Sequence, residues 1–528
     1  MSRRAAAWIT AGCLSISSLA TAQTNASPTQ DSKSRAAPGQ LPNLGDGSDM
    51  TSGDERRLGE RIARELYRDP DYIDDPILVE YVDGIWRPLL AAARLRGDLS
   101  DELNERFAWE ILMGRDRSVN AFALPGGYFG LHLGLMAVVS SRDELASVLG
   151  HELSHVTQRH ISRLISKQSQ QSPWLLGAMI LGVLAASKNP DAGNALITGG
   201  QAVAAQNQLN FSRDMEREAD RVGFGVMTQA GFDTQGAVSM FEKLQQASRL
   251  NDRGSFPYLR SHPLTTERIA DMQARVRGAG AGSASSKTSQ FEHGMVAARA
   301  RVLSYSAMDD LRGWAARAEG ADFAAQEPTR QVANLYGAAF AALKLRDFLN
   351  SQKLLVRLTE LTRVDPVAAR LTRLLSAEVA LASGDARQAL SLIEVKPNAA
   401  NAATAAPTRA QRPDTLLSSQ ALISTGQANV AAAQLQTWVA AHPRDAVGWQ
   451  LLSSAYGAQG QTIRAVRAEA ESRVALLDYA AAVDRFKAAQ GLAREQANKP
   501  GADYIEASIV DTRARQVALL LREQAVER

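Results

Sequence analysis

A chain of 528 residues, 45% hydrophobic and 22% charged, is long enough for several domains with ordinary cores. Its formal net charge of +3 is too close to zero to argue for nucleic acid or an anionic lipid surface as partner, and its charges read as a mixed solvated surface. The longest apolar run, Trp174 to Ala186, is too short to span a bilayer; it reads as a buried helix, a lid or an interfacial segment.

The chain opens with Arg3 and Arg4, a weakly apolar stretch from Ala5 to Leu19, and the small-x-small group Ala20-Thr21-Ala22. That order predicts a secretory signal peptide over residues 1–22, removed on export. Thr10-Ala11-Gly12-Cys13 resembles a lipoprotein box only faintly, because Thr10 stands where leucine is usual. Cys13 is the single cysteine, so the mature chain would hold no thiol, which suits an oxidising compartment. Residues 23–50, rich in Ser, Pro, Gly, Gln and Asp, predict a disordered leader.

From Ser52 the pattern turns helical, with a cap-like Ser52 and Leu58, Ile62 and Leu66 on one face. Phe107 to Met113 reads as a short strand. Two apolar runs around Pro125-Gly126-Gly127, from Asn120 onward, read as a hairpin. Ser141 and Glu144 form a capping box for a helix from about Arg142 to Leu164, with Leu145, Val148, Leu149, Leu153 and Val156 as its apolar stripe. After a long insertion over 165–210, a second helix starts near Arg213, with Met215, Ala219, Val222 and Val226 as its stripe. These elements make one domain over 51–277, α+β and mainly helical around a small sheet. Residues 278–310, opening on "GAGAGSASSKTS", predict a linker and a connecting helix.

Beyond residue 310 the chain is helix after helix. Gly426-Gln427 and Gly460-Gln461 stand 34 residues apart, the period of tetratricopeptide repeats. Trp449, Leu452, Tyr456 and Ala465 match that repeat's spacing, as do Ala482, Phe486 and Ala489 in a later helix. The stretch 398–413 interrupts the pattern. Residues 311–528 therefore predict an all-α, tetratricopeptide-like repeat domain.

The chemistry is concentrated in His151-Glu152-Leu153-Ser154-His155. On a helix, positions i and i+4 lie 40° apart around the axis and one turn along it, so the two imidazoles face one point. Zinc takes such ligands, and a catalytic site keeps one position for water. Glu152 lies close enough to that water to act as a general base. The spacing alone leaves open a helix with two satisfied core histidines, and a third ligand is needed. Glu216 and Asp220 share one face of the second helix. Glu216 could bind a metal, and Asp220 could hold the far N–H of a ligating histidine. Glu218 reads as part of a solvated acidic face. His132, His160, His293 and His442 read as structural or exposed, and Arg268 as a partner for an acid near the site.

His151-Glu-x-x-His155 followed by Glu216-x-x-Ala219-Asp220 resembles the gluzincin metallopeptidases, the family that includes prenyl-protein-processing proteases. "NAFALPGGYFGLHLGL", "SRDELASVLGHELSHVTQRH" and "SHPLTTERIADM" resemble it too. The resemblance covers residues 41–275, and the repeat tail only in architecture. It implies a gluzincin-type fold, one Zn2+ per chain held by His151, His155 and Glu216, and Glu152 and Asp220 as catalytic residues. It implies His262 as a removable fourth ligand, although a helix-entry histidine before Pro263 reads equally well. It also implies that Asn120, Ala121, Phe122 and Ala123 form an edge strand on which an extended substrate adds its own backbone. The absence of a spanning run points to the family's periplasmic branch. There the expected activity is zinc-dependent cleavage of unfolded or misassembled protein in outer-membrane quality control. The expected partner of the repeats is the outer-membrane β-barrel assembly machinery, with neither nucleic acid nor a transmembrane span involved. The alternative is a chaperone or adaptor in which the repeats promote assembly and proteolysis is secondary.

Overall fold

Helix α1 (Ser52–Arg68) begins where the Thr51 hydroxyl accepts the Asp54 N–H, one residue ahead of the expected cap. Ser52 instead donates to Glu102 at 2.8 Å. The computed structural model describes residues 50–167, 212–249, 256–279, 289–320, 322–393, 411–497 and 502–526. The expected signal peptide, all of the leader but Met50, and the apolar run from Trp174 to Ala186 lie outside the described residues.

Strand β1 (Tyr72–Ile73) leads into α2 (Pro76–Arg96), which Asp75 caps and Pro76 starts. Then come α3 (Asp101–Arg106), β2 (Glu110–Gly114), β3 (Ala121–Leu124) and β4 (Tyr128–His132). The strand expected from Phe107 starts later because Phe107 closes α3 and Trp109 turns the chain at a φ of 51°. β3 and β4 form the expected antiparallel hairpin around Pro125–Gly127. β4 also pairs in parallel with β2, Glu110 opposite Tyr128, giving the order β1-β2-β4-β3. β3 is therefore an outer strand.

Among the described residues, six helices follow in the same region: α4 (Leu133–Val138), α5 (Arg142–Thr157), α6 (His160–Lys167), α7 (Arg213–Gln229), α8 (Gln235–Arg249) and the short α9 (Tyr258–Ser261). α10 (Thr266–Ala279) and α11 (Glu292–Ser304) come next. Ser141 caps α5 as expected, accepting the Glu144 N–H at 3.1 Å, but the Glu144 carboxylate reaches the Ser140 N–H rather than Ser141. α5 is enclosed on every side: from Glu144 to Thr157 only Ser147 is more than slightly accessible. The single helix expected to reach Leu164 is in fact two. Arg159 breaks it in the left-handed region, at a φ of 53°. Its guanidinium holds that bend in place, donating to Met50 O at 2.6 Å and Glu55 Oε2 at 3.0 Å.

Beyond α11 a helical repeat-like array runs to the end of the described chain. Successive helices, such as Pro328–Lys344 with Phe348–Thr362 and Ala446–Ala458 with Thr462–Ala475, pack against their neighbours. Five of the turns between them place one residue at positive φ: Arg346, Gly384, Gly426, Gly460 and Leu477. Leu452, Tyr456, Ala482, Phe486 and Ala489 are buried between these helices. One apolar core runs without interruption from Ile73 to Val379, with α11 inside it. A second cluster joins Leu58, Leu112, Leu124 and Tyr128 to Leu477. No described helix is long and apolar enough to cross a membrane.

Buried and part-buried ion pairs tie distant parts of this core together. Arg299, 3% exposed, donates to Asp75 at 2.9 Å and to Glu378 at 2.8 Å. Arg412 joins Asp74 to Asp445 in the same way, at 2.6 and 2.8 Å. Removing one member of a buried pair strands the other charge, which costs about 3–5 kcal/mol. Arg299→Met should therefore lower unfolding stability by about that much in a denaturant titration. A loss under about 1 kcal/mol would show that water reaches Asp75 and Glu378.

Candidate metal centre

Two backbones in near contact set the site. α5 and α7 cross where Gly150 faces Gly223, and a Cβ on Gly223 would stand 3.0 Å from the Gly150 carbonyl. With no side chain at either position, the helices close until residues beside the crossing touch. His151 and His155 leave α5 on one face, and Glu216 and Asp220 leave α7 at the same spacing. His262 closes α9, its N–H bonded to Tyr258 O at 2.9 Å.

Four buried donors converge there. His151 Nε2 lies 3.0 Å from His155 Nε2, 3.4 Å from His262 Nδ1 and 3.5 Å from Glu216 Oε2. Glu216 Oε1 lies 3.5 Å from His155 Nε2 and 3.0 Å from His262 Nδ1. Taken over both Glu216 oxygens, these lengths run from 3.0 to 3.5 Å, near the edge of about 3.3–3.4 Å that bonds of about 2.0–2.1 Å to one tetrahedral ion would give, so the four residues could hold a divalent cation. No other group of three or more such donors converges among the described residues.

The surroundings hold the donors by their far sides. His151 Nδ1 lies 3.0 Å from Asp220 Oδ1. Arg268 grips Asp220 with two bonds, Nε to Oδ2 at 2.6 Å and Nη2 to Oδ1 at 2.8 Å, and its Nη1 is 2.7 Å from Glu216 Oε2. His155 Nδ1 lies 2.9 Å from His160 Nδ1, and His160 Nε2 lies 3.0 Å from Glu218 Oε2. Glu152 is 1% exposed, yet neither of its oxygens makes a well-formed hydrogen bond. His262 Nε2 is 3.5 Å from its Oε1, and the Tyr258 hydroxyl lies beside it. A cavity of about 30 Å³ adjoins His151, Asp220, Tyr258 and His262, with room for one or two waters.

Protonation follows from these contacts. Burial lowers the His151 pKa, but its bonds to Asp220 and Glu216 outweigh that and push it up to about 10. Burial, then the neighbouring His151, holds His155 well below the usual imidazole range, which favours its neutral form with one ring nitrogen able to accept. Burial raises the Glu216 pKa, but His262 and His151 outweigh it and leave that carboxyl well below its ordinary value. Burial pushes the Glu152 carboxyl up, against the pull of His262 and His151.

His151, Glu152, His155, Glu216, Asp220 and His262 thus meet in one cluster, with Arg268 on an acid beside it. Asn120 is buried, and Ala121, Phe122 and Ala123 lie in β3, the outer strand, which packs against α5. His132 bonds Ser118, His293 bonds Tyr81, and His442 stacks on Trp438, all away from the donors. Sequence reasoning missed the partnership of His160 and Glu218. Residues 155 and 160 on one continuous helix would point about 140° apart, and only the break at Arg159 turns His160 back. It also missed Tyr258, whose ring centroid lies 4.6 Å from that of His262; its place one turn before His262 in the sequence was the available signal.

Residues 97–276 match the family described as Peptidase family M48. A Vibrio cholerae protein that carries the name beta-barrel assembly-enhancing protease is 34% identical over 335 residues, 61% of this chain and 64% of that protein. The Beta-barrel assembly-enhancing protease of Escherichia coli is 32% identical over 237 residues, 44% of this chain and 47% of that protein. A mitochondrial metalloendopeptidase of Saccharomyces cerevisiae is 30% identical over 196 residues, 36% of this chain and 54% of that protein. The chain therefore spans less than two thirds of the length of these relatives. They bear out the metallopeptidase resemblance.

A divalent ion entering this donor set must displace the proton that His151 carries in the metal-free chain. Protons then compete with the ion below the His151 pKa of about 10. Log affinity should rise by about one per pH unit between pH 7 and 9, measured by chelator competition. A flat profile would mean that His151 is already neutral.

Proposed function

We propose that this chain, whose residues 97–276 match peptidase family M48, is a zinc-dependent endopeptidase of the periplasm. Its substrates are unfolded or misassembled proteins, in the quality control of outer-membrane proteins. The reading is carried by the N, N, O, N donor set beside a buried carboxylate without well-formed hydrogen bonds. Relatives named for enhancing β-barrel assembly extend it to the β-barrel assembly machinery, as a partner of a tetratricopeptide-like array. The proposed parts are a signal peptide (1–22), a leader (23–50), the peptidase (51–277), a connecting segment (278–310) and the array (311–528).

His151 Nε2, His155 Nε2 and a Glu216 oxygen would hold the zinc, with His262 Nδ1 in the fourth position at rest. When bound, zinc would acidify a water and polarise the scissile carbonyl. Glu152 takes the proton of the attacking water on a carboxylate oxygen and delivers it to the leaving amine nitrogen. Its raised pKa suits both halves of that exchange, since a base poised nearer neutrality also returns the proton. Asp220 holds the His151 Nδ1–H, so that the Nε2 lone pair faces the donors' centre, and Arg268 holds Asp220. An extended substrate lies along the outer edge of β3, from Asn120 to Ala123.

A second reading has its own support. With His262 among the donors the resting set has no open position, and the array shares a core with the peptidase. A chaperone or adaptor with a usually silent peptidase would have the same two features.

Glu152→Gln should lower peptide hydrolysis by at least about 10²-fold while leaving zinc content unchanged. Full retention of assembly support in cells by that variant would favour the adaptor reading. His262→Ala should keep its zinc and hydrolyse an unstructured peptide faster. If His262 occupies the fourth position nine tenths of the time, the gain is about tenfold. A slower variant with full zinc content would make His262 part of the working site instead.

A further inference from the structure

We infer that His160 and Glu218 are positioning residues that hold the His155 imidazole in the tautomer and orientation a bound metal needs. The inference rests on the reading of His155 as a ligand and adds to it the two residues that make His155 one.

The argument is one of donors and acceptors. His155 Nδ1 and His160 Nδ1 are 2.9 Å apart, and both side chains are fully buried. Two nitrogens at that distance need one proton between them: two N–H groups would clash, and two lone pairs would repel. If His155 Nε2 offers its lone pair to an ion, the ring's proton is on Nδ1, and His155 is the donor. His160 Nδ1 then accepts, which places the proton of a neutral His160 on Nε2. That nitrogen lies 3.0 Å from Glu218 Oε2. A single assignment satisfies every contact in the series. The other ligating ring has a shorter version of the same device, His151 Nδ1 at 3.0 Å from Asp220 Oδ1. Each imidazole thus ends on a carboxylate, one directly and one through a second imidazole.

The backbone is arranged for this contact. His155 and His160 lie on opposite sides of the break at Arg159, whose guanidinium is tied to Glu55 and Met50. Glu218 is on α7, two residues from Glu216, with its side chain 30% exposed and also bonded to Arg163 at 3.0 Å. The helix that supplies the carboxylate donor to the cluster therefore also supplies the anchor for His155.

The test uses the full mature chain and Zn2+ alone, with affinity measured by competition against a chromogenic chelator. Outer partners of ligating histidines are worth about 10–100-fold in metal affinity. His160→Leu should weaken Zn2+ binding by about that factor, and Glu218→Ala should weaken it in the same direction. His160→Gln, whose amide can accept from His155 and donate to Glu218, should restore affinity to within about threefold of the parent. All three variants should melt like the parent. If His160→Leu does not fold, Glu218→Ala decides alone, because its part-exposed side chain is not needed for the core. The inference fails if His155→Ala abolishes Zn2+ binding while Glu218→Ala and a folded His160→Leu bind like the parent. It also fails if His160→Gln is as weak as His160→Leu, since bulk rather than hydrogen bonding would then be the cause. If the parent chain itself holds no Zn2+, the metal reading falls and takes this inference with it.

Discussion

The contact on which the site depends is the approach of two glycines. Gly150 and Gly223 let α5 and α7 touch backbone to backbone, and the donors stand on either side of that contact. An added methyl on Gly223 would meet the Gly150 carbonyl and the His151 nitrogen at 3.0 Å. The helices would have to part or slide, and donors a few ångströms apart across the crossing would separate with them. Close packing transmits such shifts rather than absorbing them, because interiors have few voids to spare. The geometry of the cluster is therefore set by two residues that carry no chemistry of their own.

The same approach buries the cluster, and its charges must then be balanced from within. Arg268 does most of this, binding Asp220 through two hydrogen bonds and lying against Glu216. The proton on His151 does the rest in the metal-free chain. The parts of the molecule farther away repeat the pattern. Arg299 and Arg412 each join carboxylates from segments far apart in sequence, so that the array and the α+β region fold onto shared charges as well as one core. An array built in this way cannot move as a free arm, and a partner that bends it near Glu378 or Asp445 also pulls on Asp75 or Asp74, at the start of α2.

Much of this was legible in the sequence, for identifiable reasons. The His151–His155 and Glu216–Asp220 spacings are local, and a helix converts them into shared faces without help from the rest of the chain. Pro125-Gly126-Gly127 gave the hairpin, and glycines one repeat apart gave the helical array. What stayed hidden depends on contacts distant in sequence. Gly150 and Gly223 read as weak helix formers, because a glycine's use in a close crossing needs the second helix to be visible. Gln158-Arg159-His160 contains no helix breaker, and its break is tied to Glu55 and Met50, some hundred residues earlier. The parallel pairing of β2 with β4 likewise lies outside any local pattern.

The charge balance of the cluster bears on how the proposed base acquires its charge. Burial pushes the Glu152 carboxyl up, with His262, His151, Glu216 and Tyr258 beside it. In the metal-free chain, Glu216 and Asp220 already match Arg268 and protonated His151, so ionising Glu152 would leave one buried negative charge unmatched. A divalent cation that replaces the His151 proton adds one net positive charge at the same place. That excess is what an ionised Glu152 would cancel, and bound cations are known to invert local pKa preferences in this way. The ion would then do more than acidify water: by arriving it would release the proton of the carboxylate that must take one. Burial thus disfavours the Glu152 charge and a bound cation would favour it, two effects acting on one carboxylate from opposite sides.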